Sequence, residues 1–410
     1  MKLTHHIVAG RLIDGSGGPI AKNVLLTITD GVFTAIEPLT AKAMTDRAAV
    51  TDLSFATLCP PFIDCHVHLA LSGSTDAETR KMQMAGPYSE CRALIRRHIG
   101  YLFRHGVLAV RDAGDRDGHV RRFLFDSSVG RIEPVLIRAT GRAWHKEGRY
   151  GGMFGRHPEG NAGLDAAFAR ETEESNQVKL INSGPNSLVE FGRETQSQFT
   201  LDEMRKVVEI AGRAGKKVMV HANGRLPVGM AIEAGCHSIE HGYFMGEENL
   251  QLMAERGVTL VPTLYAMKAC AENASNAHER KIAEKNLLHQ LEQLAKAREL
   301  GVKVALGTDA GSPGVLHGEA VVEEMKLLMK AGYSLAETVR CATRNGADLL
   351  GIDIGLIAVG RPANFLVARG TPAQLPRKFS YLEAIYLHGK PSLMYKKHPM
   401  KVVVKKGAGE

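Results

Sequence analysis

The sequence predicts an α/β protein, a (β/α)₈ TIM barrel carrying a small β-sandwich domain built from both chain ends. Three observations carry this expectation. Apolar strands alternate with helical patterns through the middle of the 410-residue chain, short strands crowd both ends, and potential metal ligands recur where the central strands stop. Alternation of strand and helix implies parallel strands with crossover helices. Eight such units close into a barrel whose active site forms at the C-terminal ends of the strands.

Residues 1–58 read as the N-terminal part of the sandwich. Val24–Ile28 and Val32–Ile36 flank Asp30-Gly31, a strong hairpin signal. Short strands return in Asn364–Ala368 and Ala384–Lys390, so residues 353–410 read as its C-terminal part. The barrel spans residues 59–352 between them. Its eight expected strands are Phe62–His68, Gly106–Asp112, Pro134–Thr140, Gln177–Ile181, Lys217–His221, His237–His241, Val258–Thr263 and Val302–Gly307. Helical periodicity marks Leu201–Ala214, with Thr200 as a cap, and Ala283–Leu300. The chain carries no internal repeat and no low-complexity linker.

Composition narrows the function classes. Hydrophobic content of 44% and charged content of 23% describe an ordinary globular protein, and a net charge of +8 is modest at this length. No basic tract carries interleaved aromatics, which argues against a nucleic-acid partner. The six cysteines form neither a Cys-x-x-Cys pair nor a dense framework, as expected of free thiols in a reducing compartment. Met1–His6 lacks the apolar core of a signal peptide, and no run approaches a membrane span. The expectation is a cytoplasmic enzyme acting on a small molecule, with no membrane partner. A homo-oligomer is compatible with the sequence.

The chemistry begins at Pro60-Pro61-Phe62-Ile63-Asp64-Cys65-His66-Val67-His68. Residues i and i+2 of a strand share a face, so His66 and His68 can hold one metal ion. Alone, a His-x-His pair is as often polar surface. Later strands end in Lys179, His221, His241 and Asp309. Each has a bland alternative: a strand-end lysine, two hydrogen-bonded core histidines and a helix cap. A lysine inside an apolar strand of a buried sheet is nevertheless costly without a partner. Cys65 should point away from His66 and read as a small buried hydrophobe.

The ordered set His-x-His, Lys, His, His, Asp resembles the two-metal branch of the amidohydrolase superfamily. The resemblance runs over nearly the whole chain and is closest to prolidase-like and imidazolonepropionase-like members. It implies two divalent ions, zinc being the expected metal. His66, His68 and Asp309 would hold the first ion and His221 and His241 the second, with Lys179 bridging them as an N-carboxylated lysine. It further implies hydrolysis of an amide C–N bond in a dipeptide or N-acyl amino acid by a metal-bridging hydroxide, Asp309 carrying the proton to the leaving amine.

Two enzymatic alternatives stay open within the superfamily: a cyclic amide or lactone hydrolase, and a deaminase. One-metal deaminases show His-x-x-Glu on the fifth strand and lack the bridging lysine, whereas this chain has His221-Ala222-Asn223-Gly224. A non-catalytic scaffold relative would be expected to lose ligands that are all present here.

The loop after the third barrel strand departs from the family pattern. Relatives often carry Thr-Gly-Gly-His-Gly after Ser-Gly-Arg-Ala. Here Thr140-Gly141-Arg142-Ala143 is followed by Glu147-Gly148-Arg149-Tyr150-Gly151, so Tyr150 stands where the resemblance implies a substrate-orienting histidine. The same region holds Arg138, Arg142, His145, Lys146, Arg149, Arg156 and His157. Arginine suits a carboxylate, so Arg142 or Arg149 is expected to bind a substrate acid group, with Tyr150 donating to the carbonyl. The alternative is a solvated basic surface. His317 has weaker support as a site residue. His5, His6, His98, His105, His119, His278, His289 and His398 are expected to be surface or packing residues.

Overall fold

The computed structural model describes residues 3–40, 50–126, 134–160, 162–171, 174–395 and 397. His398 and the end of the C-terminal part therefore lie outside the described residues.

The two chain ends interleave in one seven-stranded sheet. Strands β1 (Thr4–Leu12), β2 (Ala21–Thr29), β3 (Val32–Pro38) and β4 (Val50–Cys59) come from the N-terminal part. Strands β14 (Phe365–Arg369), β15 (Leu382–Leu387) and β16 (Lys390–Pro391) come from the C-terminal part, and the order is β16-β15-β14-β4-β1-β2-β3. The hairpin joining β2 to β3 turns at Asp30 and Gly31, both with positive φ (52° and 80°), as the favoured two-residue hairpin turns require. The sheet curls: Phe33 at one edge donates its N–H to the Arg361 carbonyl and its ring lies 6.1 Å from that of Phe365. Ile7, Leu26, Leu58 and Val367 fill the space inside that curl.

The middle of the chain is α/β with parallel pairing. Strands β5 (Phe62–Val67), β6 (Val107–Asp112) and β7 (Leu136–Ala139) form one sheet. A second contains β8 (Ala143–Trp144), β9 (Gly155–Arg156), β10 (Gln177–Ile181), β11 (Lys217–Ala222), β12 (Ser238–His241) and β13 (Thr259–Val261), in the order β13-β12-β11-β10-β8-β9. The two sheets meet twice. On one side Asn176, just before β10, donates to the carbonyl of Ala139 at the end of β7. On the other side, residues 303–310 bond to both β13 and β5: Ala305 N donates to Leu260 O, Asp309 N to His66 O, and His68 N to Ala310 O.

The expected strand Val302–Gly307 is thus extended but not a regular strand. Its only ladder contact with β13 is the Leu260–Val304 bridge. Thr308 gives its backbone N–H (3.0 Å) and hydroxyl (2.6 Å) to the buried Asp64 carboxylate instead of to a neighbouring backbone, and this breaks the ladder.

Helix Leu201–Arg213 starts at a capping box in which Thr200 and Glu203 satisfy each other's backbone N–H groups. It buries Met204, Val207 and Ala211, one stripe at helical spacing. The second expected helix begins earlier than its apolar pattern suggests, spanning Ala277–Glu299, because Asn276 caps it by accepting from Glu279 N. Its buried face is partly polar, and for a reason: Gln290 and Gln293 donate to the His241 and Gly242 carbonyls at 2.6 and 2.7 Å. The helix thereby fixes the end of β12. No helix among the described residues is long and apolar enough to cross a membrane.

Candidate metal centre

His66 lies in β5 and His68 immediately follows its last residue, Val67; both are buried and reach the same cavity, as their spacing predicts. Their Nε2 atoms lie 3.5 and 3.4 Å from Oδ1 of Asp309. These three side chains form a candidate metal site, each offering one ligand atom within 4.8 Å of the others. Lys179, in the middle of β10, is 3% exposed, and its Nζ lies 3.5 Å from His66 Nε2. The His241 ring sits 5.0 Å from that of His66 and 4.6 Å from that of His221. All six side chains line one cavity of about 240 Å³.

The local backbone explains how adjacent residues reach this cavity. His241 and Asp309 have positive φ, 68° and 59°, rare and costly for residues with a Cβ. At His241 the reversal breaks the strand's alternation, so Glu240 and His241 serve the interior together. Gly242 follows at φ +64°, and a Cβ there would lie 2.4 Å from Met245 Cε.

Hydrogen bonds fix which nitrogens face the site. His66 donates from Nδ1 to Glu240 Oε2 (2.7 Å), His68 from Nδ1 to the Gly114 carbonyl (2.7 Å), and His241 Nδ1 pairs with Thr263 Oγ1 (2.6 Å). Each leaves Nε2 available for a metal. His221 is held through Nε2 by the Gly184 carbonyl at 3.0 Å, which leaves Nδ1. Asp309 receives Ser312 Oγ on Oδ2 at 2.9 Å, so Oδ1 is the oxygen beside the histidines.

The electrostatics match a cation site. Burial, reinforced by the Lys179 charge, pushes His66 and His221 down to about 4, and burial holds His241 well below its usual value. The imidazoles are therefore neutral. Burial opposes ionisation of Asp309, but its hydrogen bond with His68 and the facing imidazoles outweigh it and hold the carboxyl below the usual range. Neutral histidine and ionised carboxylate are the forms a metal binds. Lys179 is lowered to about 8 by burial, against the pull of Glu240 and Asp309. The donor set, two imidazole nitrogens and one carboxylate oxygen converging on one point, fits a divalent ion.

The match to the amidohydrolase family model covers residues 57–407. The chain belongs to the amidohydrolase family. Among its relatives, ochratoxinase from Aspergillus niger is 24% identical, the alignment covering 92% of this chain and 84% of that protein. Imidazolonepropionase from Paracoccus denitrificans is 24% identical over 90% of this chain and 93% of its own length. A crystal structure of a Xaa-Pro dipeptidase with methionine bound in its active site superimposes with a TM-score of 0.77 at 26% identity, covering 95% of this chain and all of that one.

In this amidohydrolase, Tyr150 lines the cavity, its ring 5.2 Å from that of His221, and burial pushes its phenol up. Arg142 and Arg149 do not reach the cavity. The chain turns at Gly141 (φ +72°), and Arg142 lies in a separate hollow with Trp144 and Phe168. Arg149 sits on an exposed turn and donates to the Gln196 carbonyl at 3.2 Å. Among the described lining residues Lys179 is the only cation. His317 is buried but stacks on His98 at 3.9 Å outside the cavity.

Sequence reasoning overlooked the groups that hold the site in shape. Arg111, fully buried on β6, donates to Glu240 Oε1 (2.8 Å), to Ser238 Oγ (2.9 Å) and to the Cys65 carbonyl (2.7 Å). The Arg111 charge, with the hydrogen bond from His66, holds Glu240 down to about 2 despite its burial, and the ionised carboxylate fixes the orientation of His66. Gln198 accepts from Lys146 N and donates to Tyr150 O, which fixes the Tyr150 loop. The signal for Arg111 was an arginine inside an otherwise apolar strand.

Proposed function

We propose that this amidohydrolase is a metal-dependent hydrolase of an amide C–N bond, acting on a dipeptide or N-acyl amino acid. We read the ring of hydrogen-bonded strands as a (β/α)₈ barrel over residues 59–352, and the mixed sheet as a small sandwich domain of residues 1–58 and 353–410. The observation that carries the proposal is the approach of Lys179 Nζ to the His66, His68 and Asp309 cluster in a cavity shared with His221 and His241.

An ammonium group cannot ligate a cation, but a neutral lysine amine can add to carbon dioxide. The new N–C bond forms as the nitrogen loses a proton, giving a carbamate with two oxygens. A lysine lowered to about 8 has a substantial neutral fraction at mildly alkaline pH. In this reading His66, His68 and Asp309 would hold one zinc ion, His221 and His241 would hold a second, and Lys179, once carboxylated, would serve as a further ligand. Such ions, when bound, would supply Lewis-acid chemistry for a water and for the amide carbonyl.

The chain's own residues do the rest. Glu240 and Gly114 hold the His66 and His68 rings so that Nε2 faces inward. Asp309 takes the proton that the attacking water releases and delivers it to the departing nitrogen. Tyr150 offers a hydroxyl donor beside His221. The Xaa-Pro dipeptidase resemblance supports a peptide-like amide. The absence of an arginine among the described lining residues favours a second reading, a neutral cyclic amide or lactone.

Elemental analysis after supplying zinc and bicarbonate tests the metal centre: two ions per chain are expected, and a stoichiometry fixed at one would reject the paired site. Lys179→Ala should lose the second ion and most activity, with partial rescue by a short carboxylic acid. A screen of dipeptides and N-acyl amino acids against lactones and cyclic amides decides between the substrate readings.

A further inference from the structure

A second hollow, of about 370 Å³, lies at the opposite end of the strands from the metal centre. Lys217, the first residue of β11, lines it, and so does His237, immediately before β12. The same strands run on to His221 and His241; Lys217 and His221 are about 13 Å apart along β11. Arg256, at the end of helix Glu247–Arg256, and Lys303, at the start of the segment that reaches Asp309, also line the hollow. Charge there is not balanced. Lys217, Arg256 and Lys303 share the hollow with one carboxylate among the described lining residues, Asp348, which is already paired with Arg344 at 2.8 Å. Arg256 and Lys303 are exposed, and neither side chain has a partner among the described residues. Lys217 is half-buried, and its Nζ donates to the Asp348 and Leu349 carbonyls at 2.9 and 2.7 Å. Those bonds hold the ammonium in place, cover carbonyls at the end of helix Arg344–Leu350 that would repel an anion, and leave a third N–H. His237 accepts from Val218 N on Nδ1 at 3.1 Å, so the neutral ring carries its proton on Nε2, a further donor. The like charges act on one another. Burial and the Arg111 charge, with a smaller push from Lys303, lower Lys217, and burial followed by the Lys217 charge lowers His237.

We propose that this hollow is an anion-binding site for a phosphate group, free or carried as a monoester on a small molecule, held by Lys217, Arg256, Lys303 and the Nε2–H of His237. The cations exceed what one carboxylate ligand would neutralise, and a dianion matches them better. A guanidinium presents paired donors to phosphate oxygens, while each lysine acts as a point charge. The site is separate from the metal centre, and the inference stands whatever bond that centre hydrolyses.

The test uses the full chain after chelation, so that phosphate has no metal to bind, and inorganic phosphate as the probe. Binding is measured by calorimetry and by the rise in unfolding midpoint with phosphate, at an ionic strength held constant with chloride. Wild type should bind saturably, and its midpoint should rise. Arg256→Glu and Lys303→Glu should each weaken binding by about tenfold or more, the loss of one charge-assisted hydrogen bond. Both side chains are exposed, so these variants should keep the fold. Lys281→Glu, an exposed lysine on helix Ala277–Glu299, is the matched charge control and should bind as wild type does. Non-saturable binding in wild type overturns the proposal. So does equal weakening in all three variants, which would mean general attraction to a basic protein, or no weakening in Arg256→Glu and Lys303→Glu, which would place phosphate elsewhere. Titrations with glycerol phosphate and with succinate separate the sources of the anion. Tighter binding of the monoester assigns a phosphorylated small molecule, equal or weaker binding assigns free phosphate, and tighter binding of succinate than of either overturns the phosphate assignment.

Discussion

His66 Nδ1 lies 2.7 Å from Glu240 Oε2, and the other oxygen of Glu240 receives Arg111 Nη2 at 2.8 Å. The arrangement does two things at once. It fixes the His66 tautomer with Nε2 towards Asp309, and it neutralises a guanidinium that is completely buried on β6. A ligand and a core ion pair therefore share one carboxylate, so metal affinity and fold stability are coupled through it.

Glu240→Gln separates these roles. An amide presents an acceptor on one side only, so either His66 or Arg111 loses its partner. Metal affinity should fall by about 10–100-fold, as for other groups that orient a ligand. Loss of one member of the buried pair should cost about 3–5 kcal/mol of stability. Chelator competition and thermal unfolding measure the two effects. Unchanged metal affinity would mean that His66 needs no orienting carboxylate.

Asp309→Asn is expected to preserve the fold while losing turnover by about 10²–10⁴-fold, because an amide cannot carry a proton from water to the leaving nitrogen. Oδ1 lies near both His66 and His68, so metal content must be measured alongside turnover. Near-normal turnover at full metal loading would assign the proton to another group.

Side-chain direction was legible in the sequence wherever the strands are regular. His66 in β5 and His68 just past its end reach the same cavity, and Lys179 lies in the middle of β10. It was not legible where the backbone reverses. Positive φ at His241 and Asp309 turns residues inward that simple alternation would send elsewhere, and Gly141 turns Arg142 away from the cavity. Pairings distant in sequence were equally hidden: Arg111 with Glu240, and Asp64 with Thr308, which interrupts the eighth expected strand. The start of helix Ala277–Glu299 was missed because its first turn carries no apolar stripe, only the Asn276 cap.

Acid should destabilise the metal-free protein through its buried histidines. Burial lowers His98 to about 4, against the hydrogen bond to the Leu69 carbonyl and with the help of the Arg97 charge. A folded pKa below the unfolded value of about 6.5 means that the unfolded chain binds the proton first. The stability is complete above pH 6.5 and drains away as the pH falls from 6.5 towards 4. By pH 5 the loss from this one group should be on the order of 2 kcal/mol. His98→Phe should flatten the decline in urea midpoint between pH 7 and 5 relative to wild type. A parallel decline in both proteins would show that His98 is already protonated in the fold.

Arg142→Ala and Arg149→Ala should leave substrate binding nearly untouched. If either guanidinium gripped a substrate carboxylate, its loss would remove a charge-assisted hydrogen bond of about 1.5–3 kcal/mol and raise KM by roughly 10–150-fold. The structure gives no such path: Arg142 faces a separate hollow, and Arg149 is exposed and bonded to the Gln196 carbonyl. KM is therefore expected to change by less than about twofold, since neither side chain lines the cavity and a charge outside it contributes little. The companion measurement compares a dipeptide with its C-terminal amide on wild-type enzyme. Comparable turnover of the two would mean that no free acid group is recognised, and would favour the neutral cyclic amide or lactone reading. A tenfold rise in KM for Arg149→Ala, with strong preference for the free acid, would instead require the Tyr150 loop to move on binding and bring its arginine to the cavity.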